Sequence, residues 1–250
     1  IEKVAPIDLL ESENLRFEKL ATKEPAEILF RGSSWGAVEQ RRREKSGENI
    51  PAGLLFEPAK SDQTGDWIEL LENGNYPISD VTKVPTSWMV QKEWISLLEE
   101  SRQNWLSALH IGNYYFEIGE KELAIYHWNK SLDFESSPWA LRNLAIAQRD
   151  SGNLSAALEL YEKAINKFSS ELHDAFYEEY LQLLIFAEKY EQLWKIYTEI
   201  ISIRVPSERI DLAAAKAALQ LGHFEFLAKI FTRTFAQIRE GESTLVAIWF

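Results

Sequence analysis

Two stretches of this chain carry the same order of residue types at an offset of 33 residues. The first contains Gly112, Tyr115, Gly119, Ala124, Trp128 and Ser131, and the second contains Ala145, Gly152, Ala157, Tyr161 and Ala164. A period near 34 with this order is typical of helix-turn-helix units that stack into a solenoid. Each unit buries its apolar face only against a neighbour, and the stack leaves a concave surface.

The turns between paired helices extend the pattern to four units. Counting from Gly119 to Gly152, Glu188 and Gly222, the steps are 33, 36 and 34 residues, with Glu188 standing where a turn glycine is expected. The sequence therefore predicts an all-α fold over 105–250, with a terminal segment after four units. The predicted units are about 105–135, 138–168, 172–202 and 207–239.

Small residues inside the predicted helices have a physical reason. Glycine in the middle of a helix costs about 1 kcal/mol relative to alanine, so Gly112 predicts a close helix-to-helix approach. Ala124 and Ala157 are the expected facing residues. The turn glycines are expected to end the first helices in the left-handed conformation that glycine adopts at little cost.

Residues 1–104 follow no such period. They predict an irregular helical and loop segment that packs on the solenoid. Helix ends are expected at Ser46–Gly47 and at Asn73–Gly74, because glycine commonly follows a helix. Another helix is expected to start at Thr86 or Ser87, both residue types that cap helices.

The repeated residues resemble the tetratricopeptide repeat (TPR) family over about 105–239. That resemblance implies protein–protein interaction through the concave face. Three further segments, 31–39, 85–91 and 137–145, are similar to a large, poorly characterised bacterial family. In that family, a sugar-binding-type β-sandwich precedes TPR-like helices. This second resemblance implies a carbohydrate-related parent protein. The first residue, Ile1, and the apolar stretch 246–250 also favour a piece of a longer multidomain polypeptide.

Charge and composition exclude several classes of function. The 27 basic and 39 acidic residues give a formal net charge of −12, which disfavours binding to nucleic acid or to an anionic membrane. The chain has no cysteine, so thiolate catalysis and Cys-ligated zinc are excluded. We expect no cofactor and no metal. The compartment stays open, with a cytoplasmic location favoured.

The candidate partner-binding surface is the inner face of the first helices in units one and two. Its residues are Leu109, Asn113, Phe116, Glu117, Trp139, Arg142, Asn143, Ile146 and Asp150. Mixed aromatic, aliphatic and amide chemistry suits recognition of a peptide or a domain. An alternative is that residues 1–104 of the same chain already fill this groove. A clamp for a C-terminal carboxylate is rejected, because unit three places Glu178 and Glu179 on the equivalent face.

Other candidate sites have simpler interpretations. The segment 31–39 is expected to be a helix break anchored by Trp35, although it could contact a ligand. The four histidines lack the spacing of a metal site, and Glu99–Glu100 is expected to lie on a solvated helix face. No catalytic constellation is present, so these residues are not expected to form an enzyme.

The sequence therefore predicts a protein-interaction or scaffolding module. Its expected partner is a protein, a peptide or another domain of the same polypeptide. The alternative hypothesis is an accessory helical domain that buttresses a carbohydrate-active β-sandwich enzyme and has no independent partner.

Overall fold

A computed structural model describes residues 34–48, 56, 61–85, 89–236 and 243–250, and these divide into two compact units. The N-terminal unit holds the described residues up to Ile78 and those of Pro85–Gln103. The C-terminal unit holds Ser79–Val84 and the described residues of Asn104–Phe250. No helix within these ranges is both long enough and apolar enough to cross a membrane.

The described helices are numbered in chain order. The N-terminal unit contains α1 (Ser34–Lys45), α2 (Ser61–Asn73) and α3 (Lys92–Glu100). The C-terminal unit contains α4 (Trp105–Glu117), α5 (Lys121–Phe134), α6 (Pro138–Asp150), α7 (Leu154–Phe168), α8 (Asp174–Phe186), α9 (Tyr190–Ile203), α10 (Glu208–Leu221), α11 (Phe224–Phe231) and α12 (Thr244–Trp249).

A carboxylate at the centre of the N-terminal unit joins two of its helices. Glu39 on α1 accepts hydrogen bonds from Arg42 (3.0 and 2.9 Å) and from the Trp94 indole on α3 (2.8 Å). Burial raises the pKa of Glu39, but hydrogen bonds from Arg42, Arg43 and Trp94 more than offset this and lower it to about 2. The Trp94 ring also meets Trp67 edge-on at 5.8 Å. The unit is thus held by an ionic group and an aromatic cluster together.

Two predicted helix ends in the N-terminal unit are confirmed. Helix α1 ends before Gly47 and α2 ends before Gly74, and these glycines have φ angles of 70° and 74°. Helix α3 begins later than predicted, at Lys92, after an extended Gln91. The predicted caps Thr86 and Ser87 lie outside the described residues, as do positions 31–33 of the segment 31–39. Trp35 and Gly36 lie within α1, in its first turn.

The C-terminal unit is an all-helical, TPR-like solenoid, as the sequence predicts. It consists of four hairpins, α4–α5, α6–α7, α8–α9 and α10–α11, whose helices are joined by two or three residues. Such short connections make the paired helices antiparallel. Successive hairpins pack through α5 on α6, α7 on α8, and both α8 and α9 on α10.

The close approach predicted at Gly112 is present in the first hairpin. A Cβ atom at Gly112 would lie 2.5 Å from Nε1 of Trp128 and 3.1 Å from the backbone oxygen of Ala124. Trp128 donates a hydrogen bond from that Nε1 to Asn113 (3.0 Å). Helix α4 therefore meets α5 at backbone distance, with the indole filling the space that a side chain would take.

Polar side chains start three of the four first helices. Asn104 accepts hydrogen bonds from the backbone of Leu106 and Ser107, and Ser137 and Ser207 each accept one from the residue three positions on. These side chains satisfy backbone N–H groups that a helix start leaves without partners. Helices α4, α6 and α10 therefore have well-defined first residues.

The four internal turns share one backbone conformation. Gly119, Gly152 and Gly222 have φ angles of 86°, 82° and 75°, as predicted, and Glu188 has a φ of 55°. A residue with a side chain is strained in this region, at a cost of about 1–3 kcal/mol. The third hairpin keeps the turn geometry without the residue that favours it, because flanking contacts hold it in place.

Replacing Glu188 by glycine should stabilise the C-terminal unit. Relief of the left-handed strain exceeds the added backbone entropy of the unfolded chain, and we expect the free energy of unfolding to rise by about 0.5–1 kcal/mol. Chemical denaturation measures the change. The matched control is Gly152→Ala, which should lower stability, since its Cβ meets nothing within 4 Å and only the backbone is affected. A loss of stability in Glu188→Gly would contradict the strain argument.

Helix α12 closes the last hairpin. Its Leu245 and Ile248 pack on a small cluster of buried residues from α10 and α11, formed by Ala215, Ala218, Leu227 and Ile230. The ring of Trp249 meets Phe231 of α11 edge-on at 5.0 Å. Helix α12 is thereby fixed against both helices of the fourth hairpin.

Candidate functional site: the groove of the first helices

A groove of about 790 Å³ runs along the C-terminal unit. Helices α6, α8 and α10 supply most of its surface, Tyr161 reaches it from α7, and Thr244 of α12 lies at its border. Its remaining lining residues are Ile146, Arg149, Asp150, Ala175, Glu178, Glu179, Gln182, Leu183, Phe186, Arg209, Leu212, Ala213 and Lys216. The groove therefore combines apolar side chains with charges of both signs.

Beside the groove, amide side chains connect the first two units. Asn143 on α6 donates a hydrogen bond from its Nδ2 to Oδ1 of Asn113 on α4 (2.8 Å). That same oxygen accepts the bond from Trp128. On the other side, Arg142 donates from Nη1 to Oδ1 of Asn143 (3.4 Å). These contacts form the first part of what we call the polar ladder, which runs from Trp128 through Asn113 and Asn143 to Arg142.

The polar ladder continues into the third unit through an ion pair. The Arg142 guanidinium donates two hydrogen bonds to Glu179 on α8, at 2.6 Å from Nε and 2.5 Å from Nη2. Tyr161 also donates to Glu179, from its hydroxyl to Oε2 (3.1 Å). This bidentate geometry is the strong form of an arginine–carboxylate contact. It ties α6, α7 and α8 together at the side of the groove.

Burial and charge act on the two groups that bind Glu179. Burial lowers the pKa of Arg142, but the hydrogen bonds to Glu179 more than offset this, so the pKa is raised. For Tyr161, burial raises the pKa and the charge of Glu179 raises it further. The guanidinium thus stays charged and the phenol stays neutral, which keeps both hydrogen bonds to Glu179 intact.

A separate set of contacts links the third and fourth units. Glu178 on α8 accepts a hydrogen bond from the Ser207 hydroxyl (2.7 Å) and lies 3.4 Å from Nη1 of Arg209. Arg149 pairs with its neighbour Asp150 at 2.7 Å. Five of the charged residues on the groove thus have ionic partners within the chain: Arg149, Asp150, Glu178, Glu179 and Arg209.

Two side chains of the groove stand apart from these contacts. Phe186, the last residue of α8, is 78% exposed although it is aromatic. Lys216 on α10 is half-buried and has no carboxylate within 4.0 Å among the residues described. An aromatic ring and a cation at hand are the groups that contribute most to binding a polypeptide segment.

The predicted partner-binding residues fall into three groups. Ile146 and Asp150 line the groove. Asn113, Arg142 and Asn143 belong to the polar ladder. Leu109 is only 1% exposed and lies in the core, so it offers no surface to a partner.

The other three predicted residues lie elsewhere. Phe116 packs on Trp128 with ring centroids 5.4 Å apart. Trp139 is half-buried, and Glu117 is exposed at the end of α4. None of these three lines the groove. Whether any of the nine contacts a partner stays a prediction.

Sequence reasoning missed the contribution of the fourth unit and of Phe186. Leu212, Ala213 and Lys216 of α10 line the groove because α10 packs beside α8. Phe186 stands 36 residues after Asp150, the same step that separates Gly152 from Glu188. Extending the repeat register from Asp150 into unit three would therefore have identified it.

Histidines and acids do not gather into a metal site in the part of the chain that the structure describes. His110 lies in the core of α4, and its burial lowers the pKa to about 3. His223 stacks on Trp194 with ring centroids 4.3 Å apart. The geometry of the described residues therefore supports binding at the groove.

No family model and no curated protein matches this chain. Five chains of solved structures match it. One is MamA AMB-1 in crystal form P212121, at 15% sequence identity and a TM-score of 0.44, with 58% of this chain and 85% of that chain covered. The fold described above rests on the helical hairpins themselves. The β-sandwich resemblance, and the carbohydrate setting that it implies, stay predictions.

Proposed function

We propose that the C-terminal unit is a protein-interaction module, and that its groove receives a segment of a partner protein or of another domain of the same polypeptide. The exposed Phe186 ring in the groove is the observation that carries this proposal. An aromatic side chain in a groove of about 790 Å³ offers apolar area that a bound segment can cover.

The charges of the groove support the same function. Because most of them pair within the chain, they hold the groove in shape and present few charges that must lose water on binding. Lys216 is the exception, and it offers an ammonium donor to an acidic or carbonyl group of the partner. The bound segment is therefore expected to place an apolar side chain on Phe186 and an oxygen acceptor near Lys216.

Arg142 is a positioning residue in this proposal. Its guanidinium faces Glu179 rather than a free surface. Removing it would leave Glu179 without its counter-ion and disturb the contact between two units. Variants of Phe186 and Lys216 therefore test binding more cleanly.

Groove variants should separate binding from folding. Peptides selected from a random display library on the immobilised chain serve as probes, and calorimetry measures their affinity. We expect Phe186→Ala to weaken binding at least tenfold, about 1.4 kcal/mol, and Lys216→Ala to weaken it further. The matched control is Tyr126→Ala on α5, which removes another exposed aromatic ring that does not line the groove.

Two results would contradict the proposal. In one, no peptide is enriched, although circular dichroism shows a folded chain. In the other, Tyr126→Ala weakens the selected peptides as much as Phe186→Ala does. Equal circular dichroism spectra for all variants show that the fold is retained.

A further inference from the structure

The last hairpin presents an exposed surface that the groove does not use. It consists of Phe224, Glu225, Ala228 and Lys229 on α11 and of Val246, Trp249 and Phe250 at α12, and we call it the end face. All seven residues are exposed, and Phe224 and Trp249 are each exposed to 68%. Spacings of three, four and seven residues place them on one side of their helices.

Both helices contribute to one continuous patch. Phe231 lies seven residues after Phe224 on α11 and meets the Trp249 ring at 5.0 Å. This contact joins the apolar side of α11 to that of α12 and holds the indole in one orientation. A rigid, exposed tryptophan is the kind of anchor that carries much of the energy of a protein interface.

We propose that the end face is the interface of a weak symmetric dimer, in which the end faces of two copies of this chain meet. The whole chain carries a net charge of −12, so two copies repel each other over most of their surface. Helix α12 has no charged residue. The end face is therefore a place where two acidic chains can approach at little electrostatic cost.

The rim of the end face matches itself. Glu225 and Lys229 lie one turn apart on α11, and neither has an ion-pair partner among the described residues. A twofold interface brings the same patch of each copy together, so residue i of one copy faces residue j of the other. Antiparallel packing of two α11 helices would place Glu225 of each copy beside Lys229 of the other, and the small Ala228 between them allows close approach.

The area sets the strength of the dimer. The exposed apolar side chains provide roughly 500 Å² per copy, given the size of aromatic residues. The total of roughly 1,000 Å² is at the lower limit for a specific interface. We therefore expect a monomer–dimer equilibrium that depends on concentration.

Sedimentation velocity over about a hundredfold range of concentration, up to about 1 mM, tests the dimer. The wild-type chain should shift from monomer to dimer as concentration rises, and Trp249→Glu should stay monomeric with an unchanged circular dichroism spectrum. The matched control is Phe186→Glu, which alters an exposed aromatic residue of the groove and should dimerise as the wild type does. It also separates this proposal from the one for the groove.

Charge reversal on α11 tests the symmetry. Glu225→Lys and Lys229→Glu each give a rim of one sign, so each variant alone should dimerise at least tenfold more weakly than the wild type. An equimolar mixture of the two should restore association, because the rims are then opposite. A wild-type chain that stays monomeric throughout overturns the proposal and assigns the end face to a different protein. Wild-type-like dimers of Trp249→Glu, or a mixture no stronger than its components, also overturn it.

Discussion

Gly112→Ala is expected to lower the free energy of unfolding of the C-terminal unit by about 2 kcal/mol. The new Cβ would fall 2.5 Å from Nε1 of Trp128 and 3.1 Å from the oxygen of Ala124. The indole must move, which breaks its bond to Asn113, and the backbone oxygen cannot move without separating the helices. This loss outweighs the gain of about 1 kcal/mol that alanine brings to a helix interior. Denaturation in urea or guanidinium measures it.

The second repeat supplies the matched controls. Ala145 and Tyr161 stand 33 residues after Gly112 and Trp128, so the larger helix residue goes with the smaller ring. The double variant Gly112→Ala with Trp128→Tyr should therefore recover part of the stability. Ala145→Gly should destabilise, which is the opposite dependence on side-chain size. If Gly112→Ala is as stable as the wild type, the close approach of α4 to α5 is wrong.

Acid is expected to destabilise the C-terminal unit through His110. Burial lowers its pKa from 6.5 to about 3, so the folded chain keeps the imidazole neutral where the unfolded chain takes up a proton. Stability is fully present above pH 6.5 and falls as the pH decreases toward 3. From pH 7.5 to 4.5 the loss is about 2–3 kcal/mol, since each pH unit below the unfolded pKa contributes about 1.4 kcal/mol.

A histidine variant isolates this contribution. His110→Gln cannot titrate, so the free energy of unfolding should depend less on pH between 7.5 and 4.5 than in the wild type. The window lies largely above the range in which Glu39 titrates, from 4.5 to about 2. The control is His173→Gln, which removes an exposed histidine and should leave the wild-type slope. Parallel curves for His110→Gln and the wild type would contradict the assignment.

Features set by the local chain could be predicted from the sequence. The turn glycines and the close approach at Gly112 depend on backbone conformation and on the size of one side chain, and both recur with the repeat. The same register identified Glu188 as a turn residue, and the structure gives it the glycine-like φ of 55°.

Contacts between units could not be predicted in the same way. Arg142 meets Glu179 across 37 residues, and nothing in either local sequence shows which first-helix residues face each other. The sequence placed both residues on one face, but it treated Arg142 as free and Glu179 as a source of repulsion. Leu109 was assigned to the surface because a helical face alone does not show how deeply its neighbours cover it.

The polar ladder also limits how this array can change in length. Asn113, Asn143 and Arg142 each find a partner on the first helix of another unit, and Glu179 accepts the last of these bonds. Deleting or duplicating a single hairpin would bring together helices whose partners no longer match, and a buried charge would lose its counterpart. Although the units look alike, they are not interchangeable, and gain or loss of repeats at the first three positions would require simultaneous substitutions on both sides of the junction.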